Sequence, residues 1–456
     1  MQLFKKILYK IGIDGAIGFT LIGRLIQSAG GLILIALISL YLTKEEQGYY
    51  YTFGSIIAIQ VFFELGLNGI ITQYVAHELV HLEWKSEVEL TGNKERLSRI
   101  SSLLHLCLKV FGSITIILFT VLSLFGFIFF TRFHDHGVAV HWQLPWIISV
   151  LATSAMFLIN ALLAFLEGLG KVKQVAKIRA MYQIINVITI AFVFTCKGNL
   201  FALGIGSLVS FLVISLNIYF SYNKHLFVFI YNAKGEWVVD YWKEIFPYQW
   251  KIALSWLSGF FIFQLFSPVL FATEGAVAAG QMGMTLAALN GISSLSMSWI
   301  TTKVPTFSAL IAEEKYQLLD LLFYKTVRQL SYVNFSLITV LIAFVFGLNY
   351  FNLALAHRFL DLTSLLLLCV VTFINQYVFS WATYLRCHKR EPFLVNSIST
   401  GILCGFSTFI LGKEFGLIGI VIGYSVISTF FGLPWAYYIF KNKKNEWHNI
   451  NFSHPI

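Results

Sequence analysis

Charged side chains are scarce in this sequence, since Asp, Glu, Lys and Arg make up only 12% of its 456 residues. Soluble domains carry about 25%. Hydrophobic residues make up 57% of the chain. A chain with so little polar surface cannot face water on all sides, which excludes a soluble globular protein and indicates a membrane protein. The 44 Phe, 21 Tyr and 11 Trp fit lipid-facing walls and interfacial belts.

Several signatures of chemistry are also missing. No pair among the five Cys has the spacing of metal ligands, and no phosphate-binding glycine loop, HExxH motif or nucleophile elbow occurs. We therefore expect no enzyme, no catalytic residue, no metal and no cofactor. The net charge of +10 is spread over short loops, so we expect no nucleic-acid partner. The first apolar run lacks a small-residue cleavage site, so it should be retained as a membrane span.

Apolar runs bounded by charged residues predict an all-α polytopic membrane protein with twelve transmembrane helices. The predicted spans are 17–42, 49–75, 100–130, 144–166, 180–195, 200–220, 247–272, 277–302, 330–348, 359–385, 393–411 and 415–440.

Lys and Arg alternate sharply between the connections. One set of loops carries 25 of them and the other set carries 5, while Arg24 and Lys109 lie inside spans. This bias predicts that both termini are cytoplasmic and that the number of spans is even. The outer loops are short, the longest being 131–143. They leave no room for the ordered outer region that a membrane glycan polymerase or ligase would need.

The chain has a repeated plan, with six spans on either side of a central cytoplasmic stretch. The connection after span 2 (77–100) and the one after span 8 (307–330) are both acidic first and basic second. Two like-oriented halves are a common transporter plan, with the substrate between them. The predicted domains are an N-terminal six-helix bundle (1–220), a cytoplasmic linker (221–246), a C-terminal six-helix bundle (247–440) and a cytoplasmic tail (441–456).

Three charged residues fall at similar depth in the first three spans. Arg24 lies roughly 10 Å, Glu64 roughly 15 Å and Lys109 roughly 14 Å from the cytoplasmic end of its helix, at 1.5 Å per residue. Polar residues share their helix faces, namely Gln27, Gln60, Asn68 and His105. Because a charge in the bilayer is costly, we expect a shared hydrated cavity of net positive charge that suits an anionic substrate such as a lipid pyrophosphate. Snorkelling of Arg24 and Lys109, and a purely structural Arg24–Glu64 pair, are the alternatives.

Amides replace charges inside the spans of the second half. Gln264, Asn290 and Gln376 are candidate sugar-binding groups of the cavity. The alternative for each is a hydrogen bond between helices.

Four stretches carry a resemblance to a known family. YLTKEEQGYYYTF (41–53) resembles the short outer turn after the first span of polysaccharide-biosynthesis flippases, with Lys44 where that family usually has Pro. ELGLNGIITQYVA (64–76), VPTFSALIAEEKYQLLDLL (304–322) and FGLIGIVIGYSVIS (415–428) resemble its second-span ends and its final-span entry. These O-antigen-type flippases belong to the multidrug/oligosaccharidyl-lipid/polysaccharide exporter superfamily.

The resemblance implies two six-helix bundles around a central cavity that opens alternately to each side. It implies that the protein flips a polyprenyl-pyrophosphate-linked oligosaccharide from the cytoplasmic to the outer leaflet of a bacterial plasma membrane. The implied partners are the lipid-linked glycan, membrane lipids and glycan polymerase or assembly proteins. Arg24 and Lys109 match the cationic cavity of related lipid flippases in kind.

Two other functions stay open. A cation-coupled multidrug antiporter of the same superfamily should have a carboxylate-rich cavity, whereas the deep charges here are two basic and one acidic. A non-catalytic component of a glycan assembly complex should tolerate cavity mutations. The sequence does not identify the coupling ion, which could be a proton or sodium.

Overall fold

The computed structural model describes residues 30–31, 33–64, 66–133, 140–233, 235–388 and 390–449, and nearly all of them are helical. Helices dominate because a chain in lipid must satisfy its backbone hydrogen bonds within each segment. Short 3₁₀ turns cover Ala58–Gln60 and Ala354–Arg358, and π turns cover Tyr241–Ile245 and Ile427–Gly432. In chain order the helices and strands are α1 (33–41), α2 (Lys44–Ile57), α3 (Val61–Glu64), α4 (Leu67–Leu79), β1 (Leu82–Trp84), β2 (Leu90–Gly92), α5 (Lys94–Phe133), α6 (Gln143–Gly168), α7 (Val172–Thr195), α8 (Phe201–Phe220), α9 (Tyr222–Asn232), α10 (Phe246–Phe263), α11 (Phe266–Thr273), α12 (Ala276–Thr301), α13 (Val304–Ala312), α14 (Tyr316–Tyr350), α15 (Leu362–Arg386), α16 (Leu394–Val426) and α17 (Leu433–Asn449).

Eight helical stretches of the described chain are long and apolar enough to cross a membrane: Lys44–Leu79, Lys94–Phe133, Gln143–Gly168, Val172–Thr195, Phe201–Phe220, Tyr316–Tyr350, Leu362–Arg386 and Leu394–His448. The last contains two of the predicted spans, joined at Gly416, whose φ of 58° turns the chain. α10 and α11 together form an interrupted seventh span, and α12 is rich in Ala, Gly and Ser. With α1 as the described end of the first span, these helices account for twelve.

The chain divides into two compact units. Among the described residues, the first unit contains Gly30, Leu40–Leu42 and Ile56–Trp256. The second contains the described residues of Gly31–Ser39, Thr43–Ser55 and Leu257–Ile456. The outer turn between the first two spans therefore packs with the C-terminal helices, although it lies in the first half of the sequence.

In the first unit, α6 is the central helix and packs against α4, α5 and α8. The helices approach closely at small residues, because a Cβ added to Gly168 would lie 2.8 Å from the Thr72 carbonyl oxygen. Near the other end of α6, Trp146 is fully buried, and its ring lies 5.4 Å from that of Phe130 in α5. This packing holds α6 in place along its length.

The stretch between the two halves is fastened to α5. Ser98 donates a hydrogen bond to the Trp237 carbonyl oxygen (2.9 Å) and accepts one from the Gly235 amide (3.0 Å). Ser102 accepts one from the Val239 amide (3.1 Å). Arg99 forms ion pairs with the buried Glu78 of α4 and with Glu244 of the π turn 241–245. These bonds tie the linker to the first unit.

Strands β1 and β2 form an antiparallel hairpin within the connection after the second span, which the sequence analysis did not predict. Ser86 stabilises its turn by accepting hydrogen bonds from the amides of Val88 and Glu89. Lys171 lies 4.3 Å from the Trp84 ring centre and 2.8 Å from the Glu87 carboxylate. The hydrogen bond from Lys171 lowers the pKa of the Glu87 carboxyl. The hairpin is thereby attached to the turn between α6 and α7.

In the second unit, the first turn of α2 packs against α12. Gln47 is buried and donates hydrogen bonds to the carbonyl oxygens of Gly280 (2.8 Å) and Arg358 (3.1 Å). Its own side-chain oxygen accepts a bond from the Arg358 guanidinium (3.1 Å). A single amide side chain therefore links α2, α12 and the loop before α15.

Candidate functional site

The second span is broken in the middle. α2 ends at Ile57 and continues as a 3₁₀ turn and the short α3, and α4 begins only after Gly66. Gly66 has a φ of 71°, in the left-handed region that favours glycine. Interrupted membrane helices are typical of substrate and coupling-ion sites in transporters, because their freed backbone groups face a cavity.

Three predicted site residues lie at this break, namely Gln60, Glu64 and Asn68. The Asn68 amide donates a hydrogen bond to the Glu64 carboxylate over 2.8 Å. One turn further on, Thr72 donates to the Ala164 carbonyl oxygen of α6 (2.9 Å), which fixes α4 against that helix. The break thus places one carboxylate and two amides on a segment that α6 supports.

A cavity of about 460 Å³ lies beside the break, within the first unit. This volume is within the range of ligand pockets in proteins, roughly 300–1,000 Å³. Helices α6, α7 and α8 and the break itself contribute its walls. The lining residues are Ile57, Gln60, Ala152, Thr153, Met156, Asn160, Leu163, Glu167, Val172, Ala176, Arg179, Ala180, Tyr182, Gln183, Ser207 and Ile214.

Half of the sixteen residues that line the cavity are polar, and the lining is almost uncharged. Its lining contains two charged side chains, Glu167 and Arg179, and these form an ion pair of 2.9 Å. The other polar groups of the wall are the amides and hydroxyls of Gln60, Thr153, Asn160, Tyr182, Gln183 and Ser207. Such a lining can donate and accept hydrogen bonds with a neutral polyhydroxylated molecule and offers no excess carboxylate to an organic cation.

The cavity runs along α6 from its end towards its middle. Thr153, Asn160 and Glu167 lie on one face at seven-residue spacing, which covers about 21 Å at 1.5 Å per residue. Glu167 and Arg179 flank the turn that the charge bias predicts to be cytoplasmic. The polar lining therefore extends from the predicted cytoplasmic end to the level of Gln60.

The remaining predicted residues of the first half lie elsewhere. Arg24 and Gln27 fall outside the described residues, so the predicted Arg24–Glu64 pair stays a prediction. The His105 ring stacks on Tyr231 of the linker at 4.1 Å. Lys109 is exposed and, within the described chain, has no ion pair. Neither His105 nor Lys109 lines the 460 Å³ cavity.

The three candidates of the second half differ in their surroundings. Gln264 lies in the interruption between α10 and α11, and Asn290 is exposed on α12. Gln376 is only 1% exposed, and neither atom of its amide has a hydrogen-bond partner among the described residues. The structure buries Gln376 in the core of the second unit. Its proposed place on a cavity wall stays a prediction.

Sequence reasoning missed most of the cavity wall. Thr153, Asn160 and Glu167 do form a polar stripe at helical spacing inside an apolar run, which was the available signal. No group of three or more His, Cys, Asp or Glu in the described chain could hold a metal ion.

No protein-family model matches this sequence, and no curated protein matches it. Several solved structures, in contrast, do match this chain. A multidrug resistance MATE family transporter of the MOP superfamily, in an inward-facing conformation, is 16% identical over 93% of this chain and 96% of its own, with a TM-score of 0.62. The lipid II flippase MurJ, in an inward closed conformation, is 14% identical over 95% and 89%, with a TM-score of 0.54.

A third structure with this fold is a MOP superfamily transporter from Pyrococcus furiosus Vc1, 15% identical over 94% of this chain and 97% of its own, with a TM-score of 0.53. At such identities the likeness establishes the fold. The chain is an all-α, multi-pass membrane protein with the twelve-helix fold of MOP superfamily transporters, which confirms the fold class that the sequence predicts.

Proposed function

We propose that the protein is a transporter that flips a polyprenyl-pyrophosphate-linked oligosaccharide from the cytoplasmic to the outer leaflet by alternating access. The single observation that carries the proposal is the polar, nearly uncharged cavity beside the broken second span. Sugar hydroxyls need many hydrogen-bonding partners and no net charge, and this lining supplies amides and hydroxyls. We place the membrane in a bacterial cell, in line with the resemblance of the sequence.

The pyrophosphate needs a different environment from the sugars. Lys109 is exposed on α5 and has no ion pair within the described chain, so its charge is available to an anion. Arg24 would be a second cation in this proposal, and the net positive character assigned to the transport pathway depends on these two residues.

The fold itself does not choose the cargo, because drug transporters and a lipid flippase share it. The Pyrococcus furiosus protein is described as having a binding pocket of reverse polarity that suggests a different function. Pocket charge is therefore the property that should separate the candidates. Here one Glu–Arg pair neutralises itself, which favours a glycan over an organic cation.

The experiment is mass spectrometry of lipid extracts from cells that lack the protein, complemented by wild type or variants. Asn160→Leu removes an amide from the cavity wall at similar volume, and Arg24→Ala removes a proposed phosphate contact. We expect both to accumulate polyprenyl-linked oligosaccharide, with flipping roughly tenfold slower, because losing about 1–2 kcal/mol of hydrogen bonding corresponds to that factor.

Thr120→Val is the matched control, because Thr120 is exposed on α5 and, within the described chain, its hydroxyl bonds only to the preceding turn of its own helix. Full complementation by Asn160→Leu and Arg24→Ala at equal expression would contradict the proposal. The absence of any lipid-linked intermediate, together with efflux of organic cations, would establish the multidrug antiporter instead. Silent cavity variants combined with harmful loop variants would indicate a scaffold of a glycan assembly complex.

The carboxylate of Glu64 is the group best placed to couple transport to a cation, because it lies at the helix break and accepts a hydrogen bond from a neutral amide. A proton or sodium could serve. Flipping between the leaflets of proteoliposomes, measured under a proton gradient alone and under a sodium gradient alone, would separate the two, and Glu64→Gln should abolish the dependence on the ion that is used.

A further inference from the structure

A second hollow lies in the second unit, between α13 and the C-terminal end of α15, with a volume of about 820 Å³. It is independent of the cavity described above and of the cargo proposed there. Its lining residues are Val304, Ser308, Ala309, Ile311, Ala312, Thr383, Arg386, Cys387 and His388.

The hollow lies next to connections that carry many basic residues. The segments 303–328 and 386–390 both belong to the set of loops that holds most of the Lys and Arg, which the charge bias predicts to be cytoplasmic. Each of these two segments adjoins the end of one predicted membrane span and the start of the next. The hollow is therefore expected at the level where the headgroups of the cytoplasmic leaflet meet the hydrocarbon.

One wall is apolar and belongs to α13. Val304, Ala309, Ile311 and Ala312 give it aliphatic side chains beside the hydroxyl of Ser308, and Ala309 and Ala312 are exposed. Exposed aliphatic residues on a short helix between two spans fit contact with an acyl chain, because water would not favour them there.

The facing wall is formed by the end of α15 and the residues that follow it, and it is more polar. Thr383 donates to the Phe379 carbonyl oxygen of its own helix (2.8 Å). Cys387 and His388 continue this wall, and Ser308 is the one polar residue that α13 contributes to the lining. The His388 ring packs on Trp447 of α17, with ring centres 5.0 Å apart.

Arg386 is the one Lys or Arg among the described residues of the lining. Its Nε donates to Glu391 over 2.6 Å and its Nη2 over 3.1 Å, so the pair is bidentate. The two side chains are 51% and 38% exposed. An exposed ion pair of this kind is weak, and a guanidinium binds a phosphate in the same bidentate way. Glu391 therefore orients Arg386 while leaving it open to exchange for a stronger anion.

We propose that this hollow binds an anionic phospholipid of the cytoplasmic leaflet, with the headgroup phosphate on Arg386 and an acyl chain along α13. Basic pockets between membrane helices on the cytoplasmic side are suited to anionic headgroups. A free phosphate shares the headgroup chemistry but makes no use of the aliphatic wall. The apolar contact is thus what assigns the site to a lipid.

Native mass spectrometry of the full-length protein in detergent tests the assignment. Phosphatidylglycerol, phosphatidylcholine and inorganic phosphate are titrated separately onto wild type, Arg386→Gln, Glu391→Gln and Ala309→Trp. We expect wild type to retain phosphatidylglycerol in preference to the other two. Arg386→Gln should weaken that binding roughly fivefold, the factor expected for one basic residue near an anionic headgroup.

Glu391→Gln should change binding in the opposite direction, because it frees Arg386 from its competing carboxylate. Misfolding does not raise the affinity for a lipid. A gain of affinity in Glu391→Gln would therefore show that the weaker binding by Arg386→Gln comes from the lost guanidinium and not from misfolding. Ala309→Trp should fill the apolar side and weaken lipid binding. Arg132→Gln is the control, since Arg132 is an exposed arginine in the opposite set of loops.

Three results would overturn the assignment. One is phosphatidylglycerol binding that is equal in wild type and Arg386→Gln. Another is inorganic phosphate that binds as tightly as the lipid, since the site would then be a plain anion site. The third is a loss in Arg132→Gln as large as that in Arg386→Gln, since the effect would then be a general charge effect.

Discussion

At Gly48 the lack of a side chain decides how closely α2 can approach α12. A Cβ added there would lie 1.9 Å from the Ala276 carbonyl oxygen, so the two helices would have to separate. The same helix carries Gly54, around which there is nothing within 4 Å of the added Cβ. The two glycines therefore form a matched pair, one required by packing and one not.

We predict that Gly48→Ala destabilises the protein by about 1–3 kcal/mol, the cost of overpacking a close contact. Gly54→Ala should be neutral or should stabilise by up to about 1 kcal/mol, because alanine favours a helix. Thermal unfolding of the purified protein in one detergent measures both. Equal unfolding temperatures for the two variants would show that the contact between α2 and α12 is not as close as described.

Single polar residues show where sequence reasoning succeeds and where it stops. Gln60, Glu64 and Asn68 could be selected from sequence, because they share one face of an apolar run. Asn160 also belongs to a polar stripe at helical spacing, but its amide is equally explained by a bond to a neighbouring helix. Only the packing of α6 against α8 shows that Asn160 faces a cavity.

At the scale of elements, hydropathy predicted the helices but not their interruptions. The spans follow from length and apolar content, which lipid imposes on any sequence. The left-handed backbone at Gly66 depends on tertiary packing, and glycine also occurs in intact helices such as α8. The turn at Gly416, in contrast, lies close to the predicted boundary between the last two spans. The β1–β2 hairpin was missed because three-residue strands leave no periodic pattern.

The break in the second span should be needed for transport. We predict that Gly66→Ala slows transport and destabilises the protein by about 1–2 kcal/mol, because an L-residue is strained in the left-handed region. Gly69→Ala is the control, three residues along in α4, where an added Cβ meets nothing within 4 Å. Accumulation of the lipid-linked intermediate in cells provides the transport readout. Equal transport by the two variants would mean that the break is incidental.

The linker should behave as part of the first unit because α5 holds it. Ser98→Ala removes an acceptor for the Gly235 amide and a donor to the Trp237 carbonyl. We predict amide hydrogen exchange about tenfold faster in residues 235–239, since two hydrogen bonds contribute about 1 kcal/mol or more. Ser113→Ala, at an exposed position of the same helix, should leave exchange unchanged. Exchange that is already fast in wild type would contradict the attachment.

At the scale of the whole molecule, the distribution of charge between the loops predicts which side of the membrane each helix end faces. That orientation rests on the bias of 25 to 5 in Lys and Arg between the two sets of loops. The fold supports it indirectly, because twelve helices return the chain to the side where it began. A direct test needs reporter residues whose exposure is known.

Cys196 is such a reporter, because it is exposed in the turn between α7 and α8, which should face outwards. The other four cysteines are buried or partly buried. We predict that a membrane-impermeant maleimide labels Cys196 in intact cells and that Cys196→Ser removes this labelling. In that background Glu87→Cys, at the exposed tip of the hairpin, should react only after the cells are permeabilised. The reverse pattern would invert the topology, and with it the direction of transport proposed here. Labelling of both sites in intact cells would require an even number of spans between them, and would contradict the three that the sequence predicts.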